Sequence, residues 1–192
     1  MKSADPYIDR ASGVLRNKLG LTDAAALDVH ERRLVSQRIV EGVPGGRFDL
    51  DHLRAIHRHL FQDVYDWAGE IRTVEIQKGT TLFQPIRFIA IGMADVHRRL
   101  VDKRFLHGLS HEAFCNEAGV IVGDINHIHP FREGNGRTQF LYMQLLARQA
   151  GYRLDLTKLA GPTWIAACQE AHMGRYGDLA AVLRGALCDE RA

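Results

Sequence analysis

The sequence predicts an all-α domain from which one β-hairpin protrudes, and three observations carry this reading. Helix-start and helix-stop residues recur along the chain, and alternating apolar–polar patterning is confined to one short segment. One helix, moreover, is apolar almost all round, as a helix in the middle of a bundle is. At 192 residues the chain suits one domain with a substantial core and is too short for two comfortable ones. Its core is placed at about 20–188, with 1–19 as an N-terminal extension and 189–192 as a tail.

Taken in order, Thr22 is read as the cap of a helix running to about Val40, which Gly42, Pro44 and Gly45-Gly46 end. Asp49 caps a second, with Leu50, Leu53, Ile56 and Leu60 as its apolar stripe. Arg72 to Lys78 alternates, Val74 and Ile76 against Thr73, Glu75 and Gln77; Gly79 and then Thr80 to Phe83 complete a hairpin. Pro85 suits the first turn of a third helix, striped by Ile86, Ile89, Met93, Val96 and Leu100. Ser110 opens a fourth, with Phe114, Ala118, Ile121 and Ile125 on one face. The nearly all-apolar helix runs from near Gly136 to Gly151, relieved only by Arg137, Gln144 and Arg148. Pro162 and the stretch from Asp178 to Leu187 start two more.

Composition excludes several classes of function. A net charge of +2, with arginines and histidines spread along the chain, gives no electrostatic case for direct nucleic-acid binding. Cys115, Cys168 and Cys188 form no CxxC or CxxH pair, so neither a zinc site nor a disulfide framework is indicated. With no secretory signal and no membrane-length apolar run, a cytoplasmic protein without a membrane partner is the expectation.

The chemistry is concentrated in His129-Pro-Phe-Arg-Glu-Gly-Asn-Gly-Arg137, at the start of the apolar helix. Gly134 and Gly136 let a backbone turn tightly and present N–H groups to an anion at close range. The first amides of the following helix are unpaired and its dipole is positive there, so the two features together make a phosphate cradle. Arg137 adds a forked cation that grips two phosphate oxygens. Glu133 is placed to ligate Mg²⁺, which binds through one or two carboxylates plus substrate phosphates. His129, stiffened by Pro130, is positioned to take a proton from an attacking hydroxyl. Phe131 is grouped with these nucleotide-binding positions, its ring expected to point inward and fix the loop.

This stretch resembles the signature of the Fic family, HxFx[D/E]GNGRxxR. The stretches Phe48-Asp-Leu-Asp-His-Leu, Ile56-His-Arg-His-Leu-Phe61 and Asp63-Val-Tyr-Asp-Trp-Ala-Gly-Glu70, and the span from Arg72 to Phe83, also resemble the family's core. The resemblance implies a Fic-type helical bundle with a β-hairpin flap. It implies transfer of AMP from ATP to a Ser, Thr or Tyr hydroxyl of a target protein. His129 would be the general base and Glu133 the Mg²⁺ ligand. Asn135, with the Gly134 and Gly136 amides, would bind phosphate, and Arg137 would neutralise the departing pyrophosphate. Val74, Ile76 and Lys78 would line the flap that pairs with the target.

The signature is incomplete: Phe140 stands where the family usually has its second arginine, the group that grips the terminal phosphate region. This leaves AMP transfer beside transfer from another nucleotide or phosphate-linked donor, and beside a nucleotide-binding or interaction module that has lost catalysis. A metal-dependent hydrolase built on His127 and His129 is a more remote reading. Glu41-Gly42 has the end of the family's inhibitory pattern, but Gln37 holds the Ser/Thr place, so the pair is read as a helix stop. Lacking an inhibitory helix, the chain resembles the toxin-like class, for which a small antitoxin is the implied partner and type II topoisomerases are known targets. Phe140, however, removes the group that an antitoxin glutamate would engage.

Overall fold

The structure, a computed structural model, describes residues 5–79, 81–159 and 161–189. Among these residues seven α-helices form the body: α1 (Ala24–Val40), α2 (Leu50–Phe61), α3 (Ile89–Asp102), α4 (His111–Ile128), α5 (Asn135–Gln149), α6 (Pro162–His172) and α7 (Gly177–Ala186). Two small antiparallel sheets accompany them: β1 (Gln77–Lys78) with β2 (Thr81–Leu82), and β3 (Tyr152–Leu154) with β4 (Leu187–Asp189). No helix among the described residues is long and apolar enough to cross a membrane.

The caps are local chemistry. Asp49 Oδ1 accepts the His52 N–H, and Ser110 Oγ that of Ala113, each supplying an acceptor to an amide without a helical partner. At α1 the cap is Asp23 rather than Thr22, its Oδ1 accepting from Ala26 at 2.7 Å. Both residue types can cap; the carboxylate also complements the positive helix end.

The centre of the bundle is α4, packed against α3, α5, α6 and α7. Phe114, Cys115, Ala118, Val122 and Ile125 are completely buried along it. The nearly all-apolar α5 lies between α2, α4 and β3, and leaves Phe140 and Leu145 half-buried. Gly119 and Gly123 let α7 and Tyr176 close on α4: a β-carbon at Gly123 would sit 2.8 Å from the Tyr176 ring.

The hairpin is shorter than its alternation suggests. Val74 and Ile76 are half-buried and Thr73, Glu75 and Gln77 exposed, as the pattern requires, yet the strand ladder covers only Gln77–Lys78 and Thr81–Leu82, with one further bond from the Phe83 N–H to the Ile76 carbonyl. Thr80 lies outside the described residues. The reason is Arg72, buried at the hairpin base, whose guanidinium takes the carbonyls of Val74 and Gln84. The second sheet was not foreseen. Leu187, read as the end of the last helix, instead pairs with Leu154, and Tyr152 and Leu154 are buried on either side of exposed Arg153.

Residues 5–18 lie against the body. Lys18 donates its N–H to the Val64 carbonyl, the Tyr7 hydroxyl accepts from Thr73 N–H, and Asp5 pairs with Arg132 at 2.8 Å. The last two contacts brace the hairpin base and the glycine-rich loop.

Candidate active site

The loop from His129 to Gly134 leaves α4 and enters α5 through two residues in left-handed conformation, His129 (φ 47°) and Gly134 (φ 79°). A β-carbon at Gly134 would lie 2.4 Å from the Phe61 ring, so glycine is required there twice over. Between these points the Asn135 side chain staples the loop. Its Oδ1 accepts the Phe131 N–H at 3.0 Å and its Nδ2 donates to the Phe131 carbonyl at 2.8 Å. The Asn135 side-chain amide is thus engaged at both ends by Phe131, and its backbone N–H is among those that precede the helical ladder of α5. Phe131 does not line the cleft; its ring is buried and stacked on His57 at 3.9 Å, as the anchor of the loop.

Above the loop opens a cleft of about 760 Å³, a size that suits a nucleotide. His129, Glu133, Gly134, Asn135, Gly136 and Arg137 line it from the loop and α5, Ile76 and Lys78 from the hairpin, and Phe140 and Trp164 from α5 and α6. Val74 does not line it. The first intrahelical bond of α5 runs from Thr138 N–H to the Gly134 carbonyl, so the amides of Asn135, Gly136 and Arg137 precede the helical ladder. Apart from its chain neighbours and the backbone of α5 itself, no atom of the described residues lies within 4 Å of the position a β-carbon would take at Gly136. Packing therefore does not demand glycine there, and its φ is not positive; the space it leaves belongs to the cleft.

His129 Nδ1 lies 3.0 Å from the Asn126 carbonyl. A carbonyl only accepts, so Nδ1 carries the proton and Nε2 is left as the basic nitrogen. The Phe83 ring, stacked at 3.8 Å, sets the plane of the imidazole. Burial pushes the histidine down to about 4, the Asn126 carbonyl pulling back and Arg72 and Lys78 pushing the same way as burial. At neutral pH this is a neutral base. His127 turns elsewhere, its Nδ1 3.0 Å from His172 Nδ1, so the two histidines of the HxH pair do not converge.

Lys78, Arg132 and Arg137 line the cleft, whereas Glu133 is the one acidic lining residue among the described residues. Glu133 is half-exposed and its Oε1 accepts the Gly134 N–H at 2.9 Å. Arg137 reaches Glu31 of α1 at 2.6 Å, and its guanidinium lies 4.7 Å above the Phe61 ring.

The family description Fic/DOC matches residues 47–147, the stretch that carries α2, the hairpin, this loop and most of α5. The chain belongs to the Fic/DOC family. It is 39% identical to a probable protein adenylyltransferase, y4lH, of Sinorhizobium fredii, over 94% of either chain. It is 36% identical to the probable protein adenylyltransferase Fic of Salmonella typhimurium, over 97% of this chain and 94% of that one. Among solved structures, the VirB-translocated effector BepC of Bartonella tribocorum, with AMPPNP bound, superposes with a TM-score of 0.88 at 25% identity. The match covers 95% of this chain and 96% of that one.

Within this Fic domain, four residues that hold the site had no role assigned from the sequence. Arg72 donates to the His129 carbonyl at 2.9 Å while binding the hairpin carbonyls. His57, completely buried on α2, accepts the Gly69 N–H at Nδ1 (2.8 Å), so its Nε2 donates to the Glu133 carbonyl (3.0 Å). Phe83 orients the imidazole, and Glu31 holds Arg137. Phe140, at the variant position of the Fic signature, packs edge-on against Trp164 at 5.0 Å and makes this wall of the cleft aromatic.

Proposed function

We propose that this Fic domain is a protein adenylyltransferase, transferring AMP from ATP to a Ser, Thr or Tyr hydroxyl of a target protein. The observation that carries the reading is the floor of the cleft: leading amides of α5 and an unfilled glycine position at 136, beside the basic Nε2 of His129. The target hydroxyl attacks the α-phosphorus, His129 Nε2 takes its proton, and the bond to the bridging oxygen breaks to release pyrophosphate. Arg137 and the α5 amides neutralise the charge that gathers on the leaving phosphates.

Glu133 would hold Mg²⁺. Among the described residues no group of three His, Cys, Asp or Glu side chains is arranged to hold a metal alone. A single carboxylate fits an ion that arrives with phosphate oxygens, which is how Mg²⁺ is bound in nucleotide sites. When bound, the ion supplies further neutralisation of the phosphates. Ile76 and Lys78 on the hairpin are the target contacts we retain, the exposed strand offering main-chain pairing to an extended segment. Val74, which does not line the cleft and whose carbonyl is held by Arg72, is left out.

The test is incubation of the chain with labelled ATP, Mg²⁺ and cell lysate, followed by mass spectrometry of the labelled proteins. An AMP adduct on a hydroxyl residue is expected; an adduct of another mass, or none, overturns the reading. The adducted proteins also decide whether a type II topoisomerase is the target. The implied antitoxin is tested separately, by whether a small co-purifying protein suppresses labelling.

Gly136→Ala separates function from fold. The methyl group enters the cleft, so ATP affinity is expected to fall at least tenfold by calorimetry. Stability should stay level or rise by about 0.5 kcal/mol, since alanine is the better helix residue.

One observation favours a second reading of the donor: the aromatic wall at Phe140. Losing a charge-assisted hydrogen bond costs about 1.5–3 kcal/mol, roughly ten- to a hundred-fold. Phe140→Arg is expected to raise the use of ATP by about that factor. A donor panel in which ATP use is unchanged would show that this position does not set the donor.

A further inference from the structure

We infer that Glu31 is the positioning residue for Arg137, fixing the phosphate-gripping guanidinium from a helix outside the signature. The inference rests on the proposed nucleotide reading of the cleft.

Glu31 lies on α1 and is 5% exposed. Its two oxygens have separate partners: Oε1 meets Arg137 Nη2 at 2.6 Å, and Oε2 accepts the hydroxyl of buried Tyr65. Tyr65 is stacked on Trp67 at 4.2 Å, and burial followed by the adjacent carboxylate pushes its hydroxyl upward, so it stays a donor. The acceptor is therefore anchored before Arg137 reaches it. On the other side the Phe61 ring lies under the guanidinium, leaving it one plane and one direction.

A carboxylate against a phosphate-binding arginine can either hold it ready or keep it from its ligand. Two features decide for the first. Glu31 engages Nη2, and guanidinium offers five N–H donors in a fixed fork, so others remain for phosphate on the cleft side. Glu31 is also buried, and pulling Arg137 away would strand its charge, an outcome that costs more than a solvent-exposed pair would. The pair persists when nucleotide binds. Arg137 then needs no reorientation as charge develops.

The test is a double-mutant cycle on the full chain with Glu31→Ala, Arg137→Ala and the combination. It is read both as transfer rate and as calorimetric affinity for Mg-ATP. Glu31→Ala is expected to lower kcat roughly 10- to 100-fold, the scale of a misplaced catalytic group, and to weaken binding less. In the Arg137→Ala background it is expected to change neither quantity, since it acts through Arg137. Glu31→Gln keeps the shape and one acceptor oxygen for Arg137, while its N–H₂ donates to the Tyr65 hydroxyl oxygen in a reversed bond; it should recover most of the rate and reports on the site even if Glu31→Ala folds poorly. A faster Glu31→Ala enzyme, or equal losses with and without Arg137, would overturn the inference. A wild-type chain that binds Mg-ATP with this coupling but transfers nothing would instead defeat the adenylyltransferase reading and leave the positioning role standing.

Discussion

His129→Ala is expected to reduce transfer by about 10²–10⁴-fold, the range attributable to a positioned general base, while leaving Mg-ATP affinity within a few-fold of wild type. Initial-rate labelling of the identified target checks it, and a loss under tenfold would remove His129 from that role. The pH profile gives the same residue a second test. Because burial holds its imidazole at about 4, the base is neutral throughout the range where an ordinary histidine titrates. The kcat/KM of the free enzyme should therefore be flat between pH 7 and 5.5, instead of dropping through 6.5.

Stability carries the same signature. His57 is also pushed down to about 4, by burial first, with the Glu133 carbonyl opposing and Arg137 reinforcing. In the unfolded chain both imidazoles take up protons below about 6.5, whereas in the fold they do so only near 4. Their depressed values thus favour the fold fully above 6.5, and that contribution is lost as pH falls from there to about 4.

Arg72→Leu is expected to destabilise the domain by about 3–5 kcal/mol, seen as a lower denaturant midpoint. The guanidinium serves carbonyls at His129, Val74 and Gln84, and a leucine would leave these acceptors unserved at a buried junction. Burial pulls Arg72 below its usual range, and Glu75 pulls it back. Arg72→Lys should recover less than half of the loss, since a point charge on a flexible stem cannot span three carbonyls as a fork does. A Leu variant within 1 kcal/mol of wild type, by the same midpoint measurement, would mean that water replaces the side chain without penalty.

The loop was legible because it is contiguous: the histidine, carboxylate, glycines and arginine that line the cleft lie within nine positions. Helix caps at Asp49 and Ser110 were legible for the same reason, since a cap is decided within three residues. What stayed hidden reaches the loop from far along the chain. Glu31 falls between Leu27 and Val35, all three buried at a spacing of four, and a carboxylate in such a stripe is the available sign of a buried partner. His57 occupies the apolar face of Leu53 and Leu60 in the same way. Arg72 falls in phase with Val74 and Ile76, so nothing in the alternation marks it as the buried anchor at the hairpin base, and the pattern suggests longer pairing than the strands have. The β3–β4 sheet was missed because three residues are too few to establish a period.

The Asn135 staple has a consequence for the protein's chemical ageing. Asn135 is followed by Gly136, and an asparagine before glycine is the pair most open to succinimide closure, hydrolysis and conversion of the amide to an acid. In the fold that reaction is opposed, because the amide is buried between the Phe131 N–H and carbonyl and the backbone has already entered a helix. In an unfolded chain nothing opposes it. Once converted, the side chain would set a carboxylate oxygen against the Phe131 carbonyl where an N–H had been, and the loop could not close as before. Time spent unfolded would thus leave a permanent mark on the site, so that a refolded sample can regain its helices while part of it has lost its activity for good.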